Sequence, residues 1–156
     1  MKINLVAVGN KMPTWVTQAF DEYSRRLPRE CQLQLLEIAP ARRGKNAQPL
    51  QWMKEEAERI LAAIPDNHRV IALEVTGKSW STETLSQNMQ DWLSDGRDVS
   101  LIVGGPDGLD PQCLQRADLK WSLSALTLPH PLVRIVLAEQ IYRGWTILQN
   151  HPYHRS

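Results

Sequence analysis

The chain has 156 residues, 42% of them hydrophobic and 22% charged, a make-up that fits one ordinary globular domain and excludes a disordered chain, a fibrous repeat or two independent domains. Its two cysteines, Cys31 and Cys113, belong to no CxxC or Cys/His cluster, which argues against a zinc site, a thioredoxin-type motif or a disulfide framework and fits a reducing cytoplasm. The formal charge is only +1, yet residues 23–54 carry seven Lys/Arg against two Glu, residues 55–118 five basic against twelve acidic groups, and residues 119–156 four basic groups against one Glu.

Two basic segments flanking an acidic middle would make a footprint for phosphates if the fold brought them together; solvated faces are the bland alternative. A membrane partner is not expected. Met1-Lys2 leads only a short apolar run, and the most apolar later window, residues 121–138, is interrupted by Pro129, His130, Pro131 and Arg134.

In chain order, Ile3 to Val8 predicts a buried strand closed by Gly9-Asn10. Thr14 to Leu27 predicts an amphipathic helix with Trp15, Ala19, Tyr23 and Leu27 on its apolar face. Leu33 to Ile38 reads as a second strand, and the polar stretch APARRGKNAQP (Ala39 to Pro49) as a basic loop. Leu50 to Ile64 follows as a helix with a charged Glu55-Glu56-Glu58 face, stopped by Pro65.

Arg69 to Val75 predicts a third strand, with Thr76-Gly77-Lys78 as the turn leaving it. The sequence ALEVTGKS (Ala72 to Ser79) has the look of a relaxed Walker A loop, but Leu73, Glu74 and Val75 read as strand interior and Ala72 stands where the first glycine is needed. Nucleotide hydrolysis is therefore not expected. Ser81 to Leu93 is a capped helix ending near Gly96, and Val99 to Val103 a strand running into Gly104-Gly105-Pro106-Asp107-Gly108. That loop lies where open α/β sheets bind ligands, although a plain tight turn explains it equally well. A short helix over Pro111 to Ala117, a final strand over Trp121 to Leu126, a turn, and a long helix over Leu132 to Leu148 complete the chain. Strands alternating with helices predict an α/β fold with a mostly parallel sheet flanked by helices.

Two segments offer chemistry. WSLSALTLPHP (Trp121 to Pro131) alternates small hydroxyl residues with leucines and would present backbone amides and carbonyls to an uncharged heterocycle; a core strand is the alternative. The ending Asn150-His151-Pro152-Tyr153-His154-Arg155 gathers groups suited to stacking a base, holding a phosphate and moving a proton, in a region that is usually frayed. Arg134 and Arg143 are nine residues apart on one helix and face roughly opposite ways.

The loop GGPDG, the segment SLSALTLPHPLVRIVLAEQIYRGW and the ending NHPYHR together resemble the ribosomal RNA large subunit methyltransferase H family, small enzymes of the SPOUT class. The resemblance extends to LVAVGNKMPTWV, RRGKNA and DGRDVSLIVGGPDG, and so over essentially the whole chain. It implies a single domain over residues 1–156, with a C-terminal trefoil knot and cofactor site in about 99–156, and a homodimer. It implies N3-methylation of a pseudouridine in 23S rRNA of the ribosome, with S-adenosyl-L-methionine as donor; no metal is expected. The family's cofactor positions fall on Leu73, Gly104, Leu123, Ser124, Ala125, Leu126, Thr127 and Leu128; Asp107 stands where the family commonly has glutamate.

For catalysis, His154 or a water it holds is the expected proton acceptor, with Arg143 or Arg155 stabilising the anionic base; His130 is an alternative acceptor and Tyr153 a stacking group. Two rival readings are a non-catalytic ribosome-binding protein and a SPOUT methyltransferase acting on tRNA.

Overall fold

The computed structural model describes residues 1–42, 44 and 48–155. Arg43 and Lys45 of the basic loop lie outside the described residues. Five strands, β1 (Lys2–Val8), β2 (Gln32–Ile38), β3 (Arg69–Ser79), β4 (Val99–Val103) and β5 (Leu119–Ser122), form a sheet in the order β2-β1-β4-β3-β5, every pairing parallel. The helices are α1 (Thr14–Ser24), α2 (Pro49–Ala62), α3 (Thr82–Asp95), α4 (Pro111–Arg116) and α5 (His130–Leu148).

A parallel sheet needs cover on both faces, and the strand sequences supply apolar side chains to each. Ile3, Leu5 and Ala7 of β1 join Leu101 of β4 in a core with Phe20 of α1, Leu85 and Met89 of α3 and Leu137 and Ile141 of α5. Val6, Val8 and Ile102 face the opposite layer, against Ala57 and Ile60 of α2 and Cys113 of α4. The α3–α5 contact is close because residue 144 is glycine: a Cβ there would stand 2.7 Å from Sδ of Met89. Helix α3 starts as its sequence predicts, with Oγ of Ser81 accepting from the Thr84 N–H at 3.0 Å, and ends at Gly96 with φ +82°.

Four expectations require correction. On α1, Val16 and Phe20 are buried while Trp15 is 53% exposed, so the first half of the expected apolar face is one residue out of step, although Tyr23 and Leu27 pack on the core as expected. On α2, Glu56 is not part of a solvated acidic face but is buried. Thr76-Gly77-Lys78 is not a turn: β3 continues to Ser79, and Leu73 and Lys78 both pair with Trp121, so the four residues between them bulge outward. Gly77 permits this because it lies against the β5 backbone, where a Cβ would be 2.6 Å from the carbonyl carbon of Lys120.

Finally, β5 ends at Ser122 rather than Leu126, so Leu123–Leu128 is irregular backbone without strand alternation. The serines account for this. Oγ of Ser122 donates to the Ser124 carbonyl at 3.1 Å, and Oγ of Ser124 accepts from the Leu126 N–H at 2.9 Å, turns that replace the ladder.

Candidate active site

The carboxyl ends of β3, β4 and β5 open onto a cleft. One wall is the glycine loop, entered directly from β4 and closed on itself by Gly108 N–H donating to the Gly105 carbonyl at 2.9 Å. Its packing dictates the glycines. A Cβ on Gly104 would lie 2.4 Å from the Gly108 carbonyl oxygen, and Gly108 has φ +88°. The other wall is the loop from Leu123 to Pro129 leading into α5. The β3 bulge supplies the third side, aiming Glu74 and Val75 into the opening beside Leu73.

Of the sequence-predicted cofactor residues, Leu73, Gly104, Leu123, Ser124, Leu126, Thr127 and Leu128 line this continuous cleft; Ala125 belongs to the loop but not to the lining. Leucines and backbone dominate, with Glu74 as the acidic group at the edge. This chemistry suits an uncharged flat heterocycle with a nearby cationic centre. Val75 and Leu126, at the same opening, are 56% and 73% exposed.

The expected catalytic residues meet elsewhere. The tail turns back after α5 through Asn150 at φ 55°, and the His151 N–H donates to the Thr146 carbonyl at 2.9 Å. Tyr153 then packs edge-on against Tyr142, 4.8 Å between centroids, and the Arg143 guanidinium lies 4.8 Å from the centre of the Tyr153 ring. Arg143 Nη1 donates to Nδ1 of His154 at 3.2 Å, and His154 Nε2 is 3.0 Å from Glu83 Oε1. A guanidinium has no acceptor, so Nδ1 is the bare nitrogen at this contact and Nε2 carries the proton given to Glu83. That bond is the main reason the Glu83 carboxyl is held below its usual range. Arg155 is exposed.

Glu139 organises the cluster and was missed at the level of sequence, although its i, i+4 spacing from Arg143 was a readable signal. Its Oε1 accepts from Arg143 Nε at 2.7 Å and from the Tyr153 hydroxyl at 3.2 Å. The hydrogen bond to Glu139 raises the Arg143 pKa further, whereas burial and then the Glu139 charge push up that of Tyr153. Within one chain this cluster is remote from the glycine loop: from His130 at the cleft to Arg143 is about 20 Å along the helix.

His130 lines the cleft, and burial, then the neighbouring Arg134, hold its imidazole below the ordinary range. Arg134 is 1% exposed, donating to Glu37 and to the Gly9 carbonyl at 2.8 Å each, so it fastens the start of α5 to the ends of β1 and β2. The structure thus keeps Arg134 and Arg143 at separate places. Among the described residues no group of three or more His, Cys, Asp or Glu is placed to hold a metal ion, and no helix is long and apolar enough to cross a membrane.

Comparison with known proteins agrees with this architecture. A family model described as "Predicted SPOUT methyltransferase" matches residues 1–154. Ribosomal RNA large subunit methyltransferase H of Hahella chejuensis is 59% identical over 156 residues, covering 100% of both chains. The protein of that name from Marinomonas sp. is 57% identical over 155 residues, 99% of this chain and 100% of its own. Among solved structures, a probable methyltransferase from Bordetella pertussis Tohama I superposes with a TM-score of 0.59 at 13% identity, over 91% of this chain and 95% of that one. A probable methylase family protein from Haemophilus influenzae Rd KW20 gives 0.59 at 11% identity, over 99% of this chain and 70% of the other. The fold is therefore that of a SPOUT methyltransferase. Within that class, the chain belongs to the ribosomal RNA large subunit methyltransferase H family.

Proposed function

We propose that the protein transfers a methyl group from S-adenosyl-L-methionine to N3 of a pseudouridine in 23S rRNA of the large ribosomal subunit, acting as a homodimer in the cytoplasm. The observation that carries this reading is the cleft in which the glycine loop faces the Leu123–Leu128 loop. Its fit to the donor is chemical: Leu73, Leu123, Leu126 and Leu128 would enclose the adenine, backbone groups would read its edge, and Glu74 offers charge complementarity. The full-length relatives, named for methylation of large-subunit rRNA, support the substrate class.

The bound donor supplies a methyl group on a sulfonium, already electrophilic. The protein's task is to align the acceptor and remove its imide proton. His154 takes that proton at Nδ1 once a substrate phosphate or base oxygen draws Arg143 away from it. Arg143, or Arg155 next to His154 in sequence, then faces the anionic oxygens of the base, with Glu139 orienting Arg143 and Tyr153 stacking. The separation of about 20 Å along α5 is the reason for invoking a dimer, in which the tail of one protomer completes the cleft of its partner. Exposed Val75, Leu126 and Leu132 near the cleft suit such an interface. The reading includes a C-terminal trefoil knot. In its support, the chain returns from the edge strand β5 past the ends of β3 and β4 to Gly9, where Arg134 fastens it.

Calorimetric titration with S-adenosyl-L-methionine tests the proposal. Saturable binding to the wild type, lost on crowding the cleft with Leu128→Trp, supports it. No binding favours a non-catalytic ribosome-binding protein, which has no need of this cleft.

A further inference from the structure

The basic segment and the glycine loop meet at one side chain. Glu56 of α2 is 3% exposed, and its Oε2 accepts from the N–H of Ala41 at 3.1 Å, Ala41 being itself buried. Its Oε1 faces the glycine loop: a Cβ at Gly105 would stand 3.2 Å from that oxygen and 3.4 Å from Cγ1 of Val8. One turn further along α2, Arg59 donates to the Ala39 carbonyl at 2.7 Å. Helix α2 thus grips residues 39–41, the root of the basic segment, at two points. Glu56 also forms the back of the loop whose front faces the cleft.

A buried carboxylate is a poor choice for packing alone, because an apolar residue would join Ala57 and Ile60 without a desolvation penalty. One of its oxygens bonds the root of the basic segment and the other packs behind the glycine loop. We propose that Glu56 is a positioning residue shared by both binding functions: one carboxylate seats the segment bearing Arg42 against rRNA and fixes the wall that the methyl donor meets. This rests on the function proposed above. It distinguishes Glu56 from Arg42 and Arg59, which act on the basic segment alone.

The test measures two affinities for each variant of the full-length protein, with S-adenosyl-L-methionine by calorimetry and with unmodified large ribosomal subunits by equilibrium sedimentation. Glu56→Ala is expected to weaken both, subunit binding by about tenfold, the equivalent of the one buried hydrogen bond lost to Ala41, and donor binding by a similar factor through loss of the packing behind Gly105. Glu56→Asp, one methylene shorter, gives a smaller parallel loss and stands in if the alanine variant does not fold. Glu56→Gln, which keeps an acceptor for Ala41 at full length, recovers most of both affinities. Arg42→Ala and Arg59→Ala weaken subunit binding only. Ile60→Val, which loosens the same helix, leaves both affinities in place. Loss of one affinity alone in the Glu56 variants, or a matching loss in Ile60→Val, overturns the shared role. Failure of the wild type to bind the donor overturns the function reading itself.

Discussion

The Arg143 guanidinium donates to Nδ1 of His154 at 3.2 Å, across a turn that reverses the chain after α5. Two residues eleven apart are thereby held with their polar atoms together, and Glu139 and Glu83 fix the far side of each. The contact stores the imidazole with its acceptor nitrogen covered by a cation. In the proposed mechanism, substrate competes for that cation before the nitrogen acts.

Removal of the imidazole is the first test. His154→Ala is expected to lower the single-turnover methylation rate at saturating subunits by about 100-fold while leaving donor affinity unchanged. Glu139→Gln, which keeps the shape but weakens the hold on Arg143, should lower the rate less. Retention of the full rate by His154→Ala would remove that side chain from the chemistry.

The glycine loop makes a contrast between two similar substitutions. Gly104→Ala must displace backbone, since its Cβ would stand 2.4 Å from the Gly108 oxygen. It is expected to abolish donor binding and to cost about 2 kcal/mol of stability. Gly108→Ala meets nothing within 4 Å but sits at φ +88°, so it costs about 1 kcal/mol of backbone strain without blocking the cleft. Thermal unfolding and calorimetry on the two variants check the difference.

Arg134 anchors the α5 start from a fully buried position. Arg134→Met leaves the Gly9 carbonyl without its donor, while Glu37, 37% exposed at its side chain, can turn to water. The expected loss is about 2 kcal/mol, read as a lower urea midpoint at unchanged slope.

Two histidines give stability a pH dependence of defined sign. Burial holds His68 and His130 below their ordinary value of 6.5, so the unfolded chain takes up protons more readily than the folded one. The stability they contribute is present above about pH 6.5 and is lost as pH falls through their folded values. The melting temperature should therefore decrease between pH 7.5 and 5.5, and His68→Gln, which keeps a partner for Ser100, should flatten that decrease.

Much of this molecule is written in local sequence. The run Val99–Val103 is apolar apart from Ser100, whose hydroxyl meets Nδ1 of His68, because the central strand is covered on both faces, and it is bounded by polar residues and glycine, so its limits are legible without a structure. The glycine-rich wall of the cleft was legible only in part: a tight turn explains GGPDG at a strand end equally well, and the resemblance of the C-terminal motifs to one family is what singled it out. What escaped was set by contacts distant in sequence. Thr76-Gly77-Lys78 has turn composition, yet pairing with β5 carries it on as strand. The leucine and serine alternation after Trp121 looks like a ladder until the serine hydroxyls bond the local backbone. Glu56 and Arg134 resemble ordinary surface charges, and only partners 15 and 97 residues away explain their burial.

The most direct test maps the methyl group. Ribosomes and tRNA from a strain lacking this gene are incubated with the purified protein and labelled S-adenosyl-L-methionine, then digested and analysed by mass spectrometry. Label confined to a single N3-methylated pseudouridine of 23S rRNA is the predicted result; label in tRNA, on another base, or in no RNA at all would contradict it.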